Sequence, residues 1–190
     1  MSLIKTIVKD KTCLMWPTEM IQVFNCAAMT KRLPGDFAEV GISKGGSAKL
    51  ICEAKGHKQF SLFDTFTGLP QPSQLDNNAL SKRLYAADLS LVKKYLDGYE
   101  NVTFYAGMFP NTAEPIQDKK FAFVHIDVDI YHSTMEALKF FYPRMVKHGI
   151  ILSHDYTTLI GVKKAFDEYF SNKDDIIIEL STSQCMVVKT

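Results

Sequence analysis

From Phe37 onward, short apolar runs alternate with amphipathic stretches, and this alternation restricts the accessible folds more than any other feature of the chain. "FAEVGI" (37–42), "KQFSLFD" (58–64), "NVTFYAG" (101–107), "KFAFVHID" (120–127) and "IILSHDY" (150–156) have the length and composition of buried strands. Between them the spacing predicts helices over 45–56, 81–98, 133–149 and 161–172, and "NTAEPIQ" suits a short helical turn. Ser133 with Glu136 three residues on makes a capping box for the third of these, and Pro143 kinks or ends it. Upstream, Met20, Val23, Phe24, Ala27 and Ala28 fall at helical spacing over 17–32, with Thr18 as cap. "DIIIEL" (175–180) and "QCMVVKT" (184–190) read as a closing hairpin.

Strands alternating with helices imply a parallel sheet covered on both faces. Five such units followed by a hairpin specify a doubly wound, Rossmann-like α/β fold. Its sheet is seven-stranded and mostly parallel, with one antiparallel strand. Residues 1–36 form an N-terminal helical segment, and 37–190 carry the sheet, within one domain of ordinary size for a 190-residue chain.

A net charge of +1 gives no electrostatic reason to expect nucleic acid or an anionic membrane as partner. The chain has no apolar run of about 18 residues and no signal peptide pattern at its start. The four cysteines, Cys13, Cys26, Cys52 and Cys185, form no C-x-x-C pair. They are expected to be reduced, mostly buried thiols of a cytoplasmic protein.

Doubly wound sheets bind ligands at the carboxyl ends of their strands. The polar and glycine residues of this chain gather there. "EVGISKGGS" after the first strand supplies Glu39, Gly41, Gly45, Gly46 and Ser47, where glycines allow close backbone approach and a helix N-terminus offers free N–H groups. Asp64 ends the second strand, positioned for a ribose diol or for a local turn with Thr65. "AGMF" (106–109) follows the third, Asp127 the fourth, and His154 with Asp155 the fifth. The glycine pattern is neither G-x-G-x-x-G nor a P-loop. Glu39, inside the strand, would repel a pyrophosphate but suits an ammonium or a hydroxyl. This favours a ligand such as S-adenosylmethionine over NAD or ATP.

"GDFAEVGISKGGSA", "FDTFTGLP", "HIDVDIYHST", "FYPRMVKHGIILSHDY" and "GVKKAFDEYF" together resemble the TylF-type macrocin O-methyltransferases, from about residue 33 to 172. These are class I S-adenosylmethionine-dependent enzymes that methylate sugar hydroxyls. The E-x-G-x-x-x-G-x-S arrangement also resembles catechol O-methyltransferase. The resemblance implies that Glu39, Gly41, Ser43, Gly45, Gly46, Ser47, Asp64, Gly107 and Asp127 bind S-adenosylmethionine. It also implies a site for Mg²⁺ or another divalent metal at Asp127 and the pair after the fifth strand. That pair is His154-Asp155 here, where the family has two aspartates. A histidine suits Mn²⁺, Fe²⁺ or Zn²⁺ better than Mg²⁺; the other reading is that His154 points away. Ile130 stands where catechol O-methyltransferase has its lysine.

The implied reaction is attack of a hydroxyl of a sugar or related small molecule on the sulfonium methyl. Asp127, Asp129, His132 and His154 are candidates to take the proton. The implied catalytic set is Asp127, Asp155, His154 and Asp129, although Asp129 also suits a cap for the following helix. His125 reads as a core histidine, and Phe121, Phe123, Phe140, Phe141 and Phe166 as core. The long segment 65–80 is expected to border the site, as a lid. Trp16 and the N-terminal helix are expected to close its other side or to form a homodimer contact. A cofactor-binding protein without turnover is the second reading. A nucleotide-dependent oxidoreductase is the third, with Glu39 and the glycine pattern against it.

Overall fold

A computed structural model describes residues 2–190. Seven strands, β1 (Asp36–Val40), β2 (Phe60–Asp64), β3 (Val102–Ala106), β4 (Phe121–Ile126), β5 (Met145–Ser153), β6 (Ile178–Glu179) and β7 (Cys185–Val188), form one sheet in the order β3-β2-β1-β4-β5-β7-β6. The first five are parallel, and β7 runs antiparallel to both β5 and β6. This is the expected doubly wound architecture. β1 lies between β2 and β4, so the strand order reverses beside it, and a crevice opens at their carboxyl ends.

Strands β1, β2 and β4 are buried on both faces because their side chains alternate between two cores. Phe37 joins Met20, Val23, Leu50 and Ile51 under α1 (Ser2–Asp10), α2 (Pro17–Thr30) and α3 (Gly46–Ala54). Ala38 and Val40 join Phe63, Phe141 and Phe166 under α5 (Tyr131–Phe141) and α6 (Ile160–Phe170). Phe121, Phe123, Phe141 and Phe166 are fully buried, as expected, and Phe140 is half-buried. Phe109, Phe121 and Phe140 each pack against the ring of Phe141. Among the described residues no helix is long and apolar enough to cross a membrane.

Several boundaries differ from the periodic pattern. The helix expected over 81–98 is only α4 (Leu89–Tyr95), because Asp88 caps it by accepting the Ser90 and Leu91 amides. Residues 83–87 bond instead to the backbone of 66–69. The helix expected over 133–149 begins at Tyr131 and stops at Phe141, followed by a 3-10 turn through Pro143. β5 then starts at Met145, which pairs with Phe121, and a register irregularity leads to the next pairing at Ile150. Ser133 and Thr18 are not the caps. Tyr131 N–H donates to Asp76 Oδ1 (2.7 Å), and α2 begins at Pro17 after an N-cap at Trp16. The N-terminal segment holds two helices rather than one, and α1 buries Ile7.

The C-terminal hairpin is shorter than its apolar runs suggest and is clamped by Asp175. This carboxylate accepts from Thr190 N (2.9 Å), Thr190 Oγ1 (2.5 Å), Tyr142 Oη (2.6 Å) and Lys189 Nζ (2.9 Å). Burial raises its pKa, but the bonds from Thr190, Tyr142 and Lys189 outweigh this and hold the carboxyl well below its usual range. Asp175→Ala is therefore expected to cost about 3 kcal/mol near neutral pH, read from the urea midpoint. The contribution is complete above the unfolded value of about 3.9 and is lost as pH falls below it. The gap between variant and wild type should stay constant down to about pH 4 and narrow below it. Equal midpoints at pH 7 would remove the clamp from the account.

Candidate active site

A cavity of about 480 Å³ opens at the carboxyl ends of the parallel strands. Gly41, Asp64, Gly107, Asp127 and the pair His154-Asp155, which follow or end β1 to β5 in turn, all line it. Such a volume suits a cofactor-sized ligand. The walls come from Lys11–Met15, from parts of 65–70 and from Arg83–Ala86. The segment 65–80 thus borders the site as expected. Its middle is anchored: Asp76 holds the start of α5, and Asn77 Oδ1 accepts the Ile160 amide at the start of α6 (2.9 Å). Trp16 does not close the cavity. It is 75% exposed, and the preceding residues 11–15 form that wall.

The glycine loop is shaped by Asp64. Its Oδ2 accepts from Ile42 N (2.9 Å) and Ser43 N (2.8 Å), and its Oδ1 from Phe66 N (2.7 Å). Three of its roughly four acceptor positions are thereby used on the protein's own backbone. Asp64 is a loop organiser that still reaches the cavity. Ser43 and Ser47 line the cavity, whereas Gly45 and Gly46 lie behind it at the start of α3.

Glu39 also lies behind the cavity wall. It is completely buried, and its register partner on β4 is His125. Glu39 Oε1 meets His125 Nδ1 at 2.8 Å, so His125 is a core histidine as expected. Among the described residues, Glu39 Oε2 and His125 Nε2 have no partner. Burial raises the Glu39 carboxyl above its ordinary value, and His125 only partly offsets this. The charge on Asp127, which lines the cavity, raises the Glu39 carboxyl further.

The densest chemistry surrounds His154. Its Nδ1 lies 3.2 Å from Asp127 Oδ1 and 2.9 Å from Asp155 Oδ2, and its Nε2 lies 3.2 Å from Glu19 Oε2. Burial disfavours an imidazolium, but Asp127, Asp155 and Glu19 outweigh it and push His154 far above its ordinary value. Burial likewise raises Asp127, but the His154 charge holds its carboxyl below the usual value. Asp129 also lines the cavity, in a left-handed backbone conformation with φ +62°. Burial, then Asp127 and Asp155, raise its carboxyl well above the usual range. The cap role that Asp129 suited belongs to Asp76. His132 is exposed and is not on the cavity.

Glu19 is the residue that sequence reasoning misses. It is 3% exposed, and burial raises its pKa while bonds from His154, Ser183 and the Trp16 amide bring it down to about 2. In "WPTEM" it stands where any helix start favours an acid, which hides its long-range partners.

The macrocin O-methyltransferase (TylF) family profile matches residues 18–187. The chain is 29% identical over 167 residues to demethyldecarbamoylnovobiocin O-methyltransferase of Streptomyces niveus, covering 79% of this chain and 63% of that protein. It is 27% identical over 141 residues to a tetracenomycin rhamnosyl 4'-O-methyltransferase of Streptomyces olivaceus, covering 65% and 54%. The chain thus spans a little over half the length of these relatives. The solved structure of the O-methyltransferase NovP superposes with a TM-score of 0.80 at 22% identity, over 94% of this chain and 82% of that one. With the profile covering most of its length and the fold in agreement, the chain belongs to the macrocin O-methyltransferase (TylF) family.

Proposed function

We propose that the chain is an S-adenosylmethionine-dependent O-methyltransferase, assisted by a divalent cation, that acts on a hydroxyl of a sugar or related small molecule. The observation that carries this reading is the convergence of Gly41, Asp64, Gly107, Asp127 and Asp155 on one cofactor-sized cavity. Family membership and the sugar-modifying name of a relative support it.

S-adenosylmethionine, when bound, supplies a methyl group on a positively charged sulfur. The Asp64-tied loop at Gly41–Ser43 shapes the cofactor side of the cavity, and the buried Glu39 carboxyl stands behind it. Asp127, Asp129 and Asp155 face the acceptor side. They orient the hydroxyl, and Asp129 or Asp127 takes its proton as the oxygen–methyl bond forms and the sulfur–methyl bond breaks.

The donor set fits a divalent cation. Asp127, His154 and Asp155 each offer an atom within 4.8 Å of the others, and negative groups outnumber positive ones around them. These three residues would hold the ion, which would polarise the acceptor hydroxyl.

Calorimetry should show micromolar S-adenosylmethionine binding with NAD at least about 100-fold weaker. Incubation with rhamnosides and other glycosides should yield O-methylated product and S-adenosylhomocysteine. Tighter NAD binding would overturn the reading in favour of an oxidoreductase. Binding without product on any polyhydroxylated acceptor would favour a cofactor-binding protein.

A further inference from the structure

Glu19 enters the site from α2 and makes only buried or half-buried contacts. Its Oε2 accepts the Trp16 amide (2.8 Å) and meets His154 Nε2 (3.2 Å). Its Oε1 accepts the Ser183 amide (3.2 Å) and hydroxyl (2.6 Å). An ionised carboxylate only accepts, so the ring atom that faces it carries a hydrogen. That fixes the ring. Nδ1 likewise faces two carboxylate oxygens, Asp127 Oδ1 and Asp155 Oδ2, so it too carries a hydrogen here, which a cation held by these three residues would displace.

The geometry points to a role for Glu19 and His154 that the sequence resemblance does not supply. We propose that Glu19 is a positioning residue. By holding Nε2–H it presents His154 Nδ1 as a ligand, and the site selects a borderline cation such as Mn²⁺, Fe²⁺ or Co²⁺ over Mg²⁺. This rests on the cation-assisted reading above. A carboxylate on the far nitrogen of a ligating histidine sets its tautomer, fixes its plane and raises its basicity. Imidazole nitrogen suits the later divalent ions, whereas Mg²⁺ prefers an all-oxygen shell. Glu19 also couples the site to the ends of the chain, because the same carboxylate holds the start of α2 and the loop before β7. The ligand geometry therefore depends on the docking of both.

The test uses the full chain, titrated separately with Mn²⁺ and Mg²⁺ by calorimetry. Pulsed electron spin resonance of the bound Mn²⁺ reads nitrogen coupling. Wild type is expected to bind Mn²⁺ at least about tenfold more tightly than Mg²⁺, with a nitrogen signal. E19Q should weaken Mn²⁺ about 10- to 100-fold and Mg²⁺ much less. H154D should abolish the nitrogen signal and move the preference toward Mg²⁺, and it decides the matter where E19Q does not fold. S183A removes one hydroxyl bond to Glu19 while the residue 183 amide still holds the carboxylate, and should leave the preference in place.

Equal wild-type affinities, no nitrogen signal, or an unchanged preference in folded E19Q would each overturn the proposal. If wild type binds neither ion yet still binds S-adenosylmethionine, both this proposal and cation assistance fall, while methyl transfer stands. Loss of S-adenosylmethionine binding would instead strike the functional reading itself.

Discussion

Asp127→Asn is expected to lower kcat for methyl transfer about 100- to 10,000-fold. Affinity for S-adenosylmethionine should stay within about threefold. The backbone at this position is independent of the side chain, because Asp127 N–H donates to Val40 O (2.9 Å) at the end of β1. Asparagine keeps the shape and one oxygen but loses the charge. His154 then loses the charge that its Nδ1 meets at 3.2 Å, and the acceptor hydroxyl loses a group that can take its proton. The loop shaped by Asp64 is untouched. Asp155→Asn should act in the same direction, since its Oδ2 is the other oxygen at Nδ1 (2.9 Å). Measuring kcat and the cofactor Kd on the same samples separates the roles. A parallel loss of both would place Asp127 with the cofactor alone, and undiminished turnover would remove it from the chemistry.

The rim was legible in the sequence because it breaks a pattern. A buried parallel strand reads as an unbroken apolar run, so Gly41, Asp64 and Asp127 stand out at the ends of such runs. All three line the cavity. Glu39 breaks the pattern too, but it does so inside the strand, and its partner is His125 on the neighbouring strand rather than the cavity. Pattern alone cannot separate these cases, because both place an acid next to apolar residues. Helix ends were less legible. Helical spacing continues past Phe141, yet Met145 is drawn into β5 by its pairing with Phe121. The cap of α5 comes from Asp76, far upstream in the long loop, where no local motif could reveal it. Glu19 is the extreme case: its bonds to His154 and Ser183 span almost the whole chain.

Gly41→Ala is the substitution expected to do most damage to the fold itself. Gly41 follows β1 with φ +86°, a conformation that costs a residue with a Cβ about 1–2 kcal/mol. A Cβ there would lie 1.8 Å from Asp127 O. The backbone cannot move aside on the other flank, because Gly41 N–H donates to Phe63 O on β2 (2.8 Å). The ends of β1 and β4 would have to separate at the point where the strand order reverses, which is where the cavity opens. A loss of about 3–5 kcal/mol is expected, which for a chain of this size lowers Tm by roughly 6–20 °C. Cofactor binding should fall with it. Gly56→Ala supplies the comparison. Gly56 also has a positive φ, +63°, but a Cβ there would meet nothing within 4 Å. Its cost should be the conformational part alone, about 1–2 kcal/mol. The difference between the two variants then measures the close approach of β1 to β4. Equal losses would mean that Gly41 is needed only for its backbone angle, and that the ends of β1 and β4 can part without harm to the site.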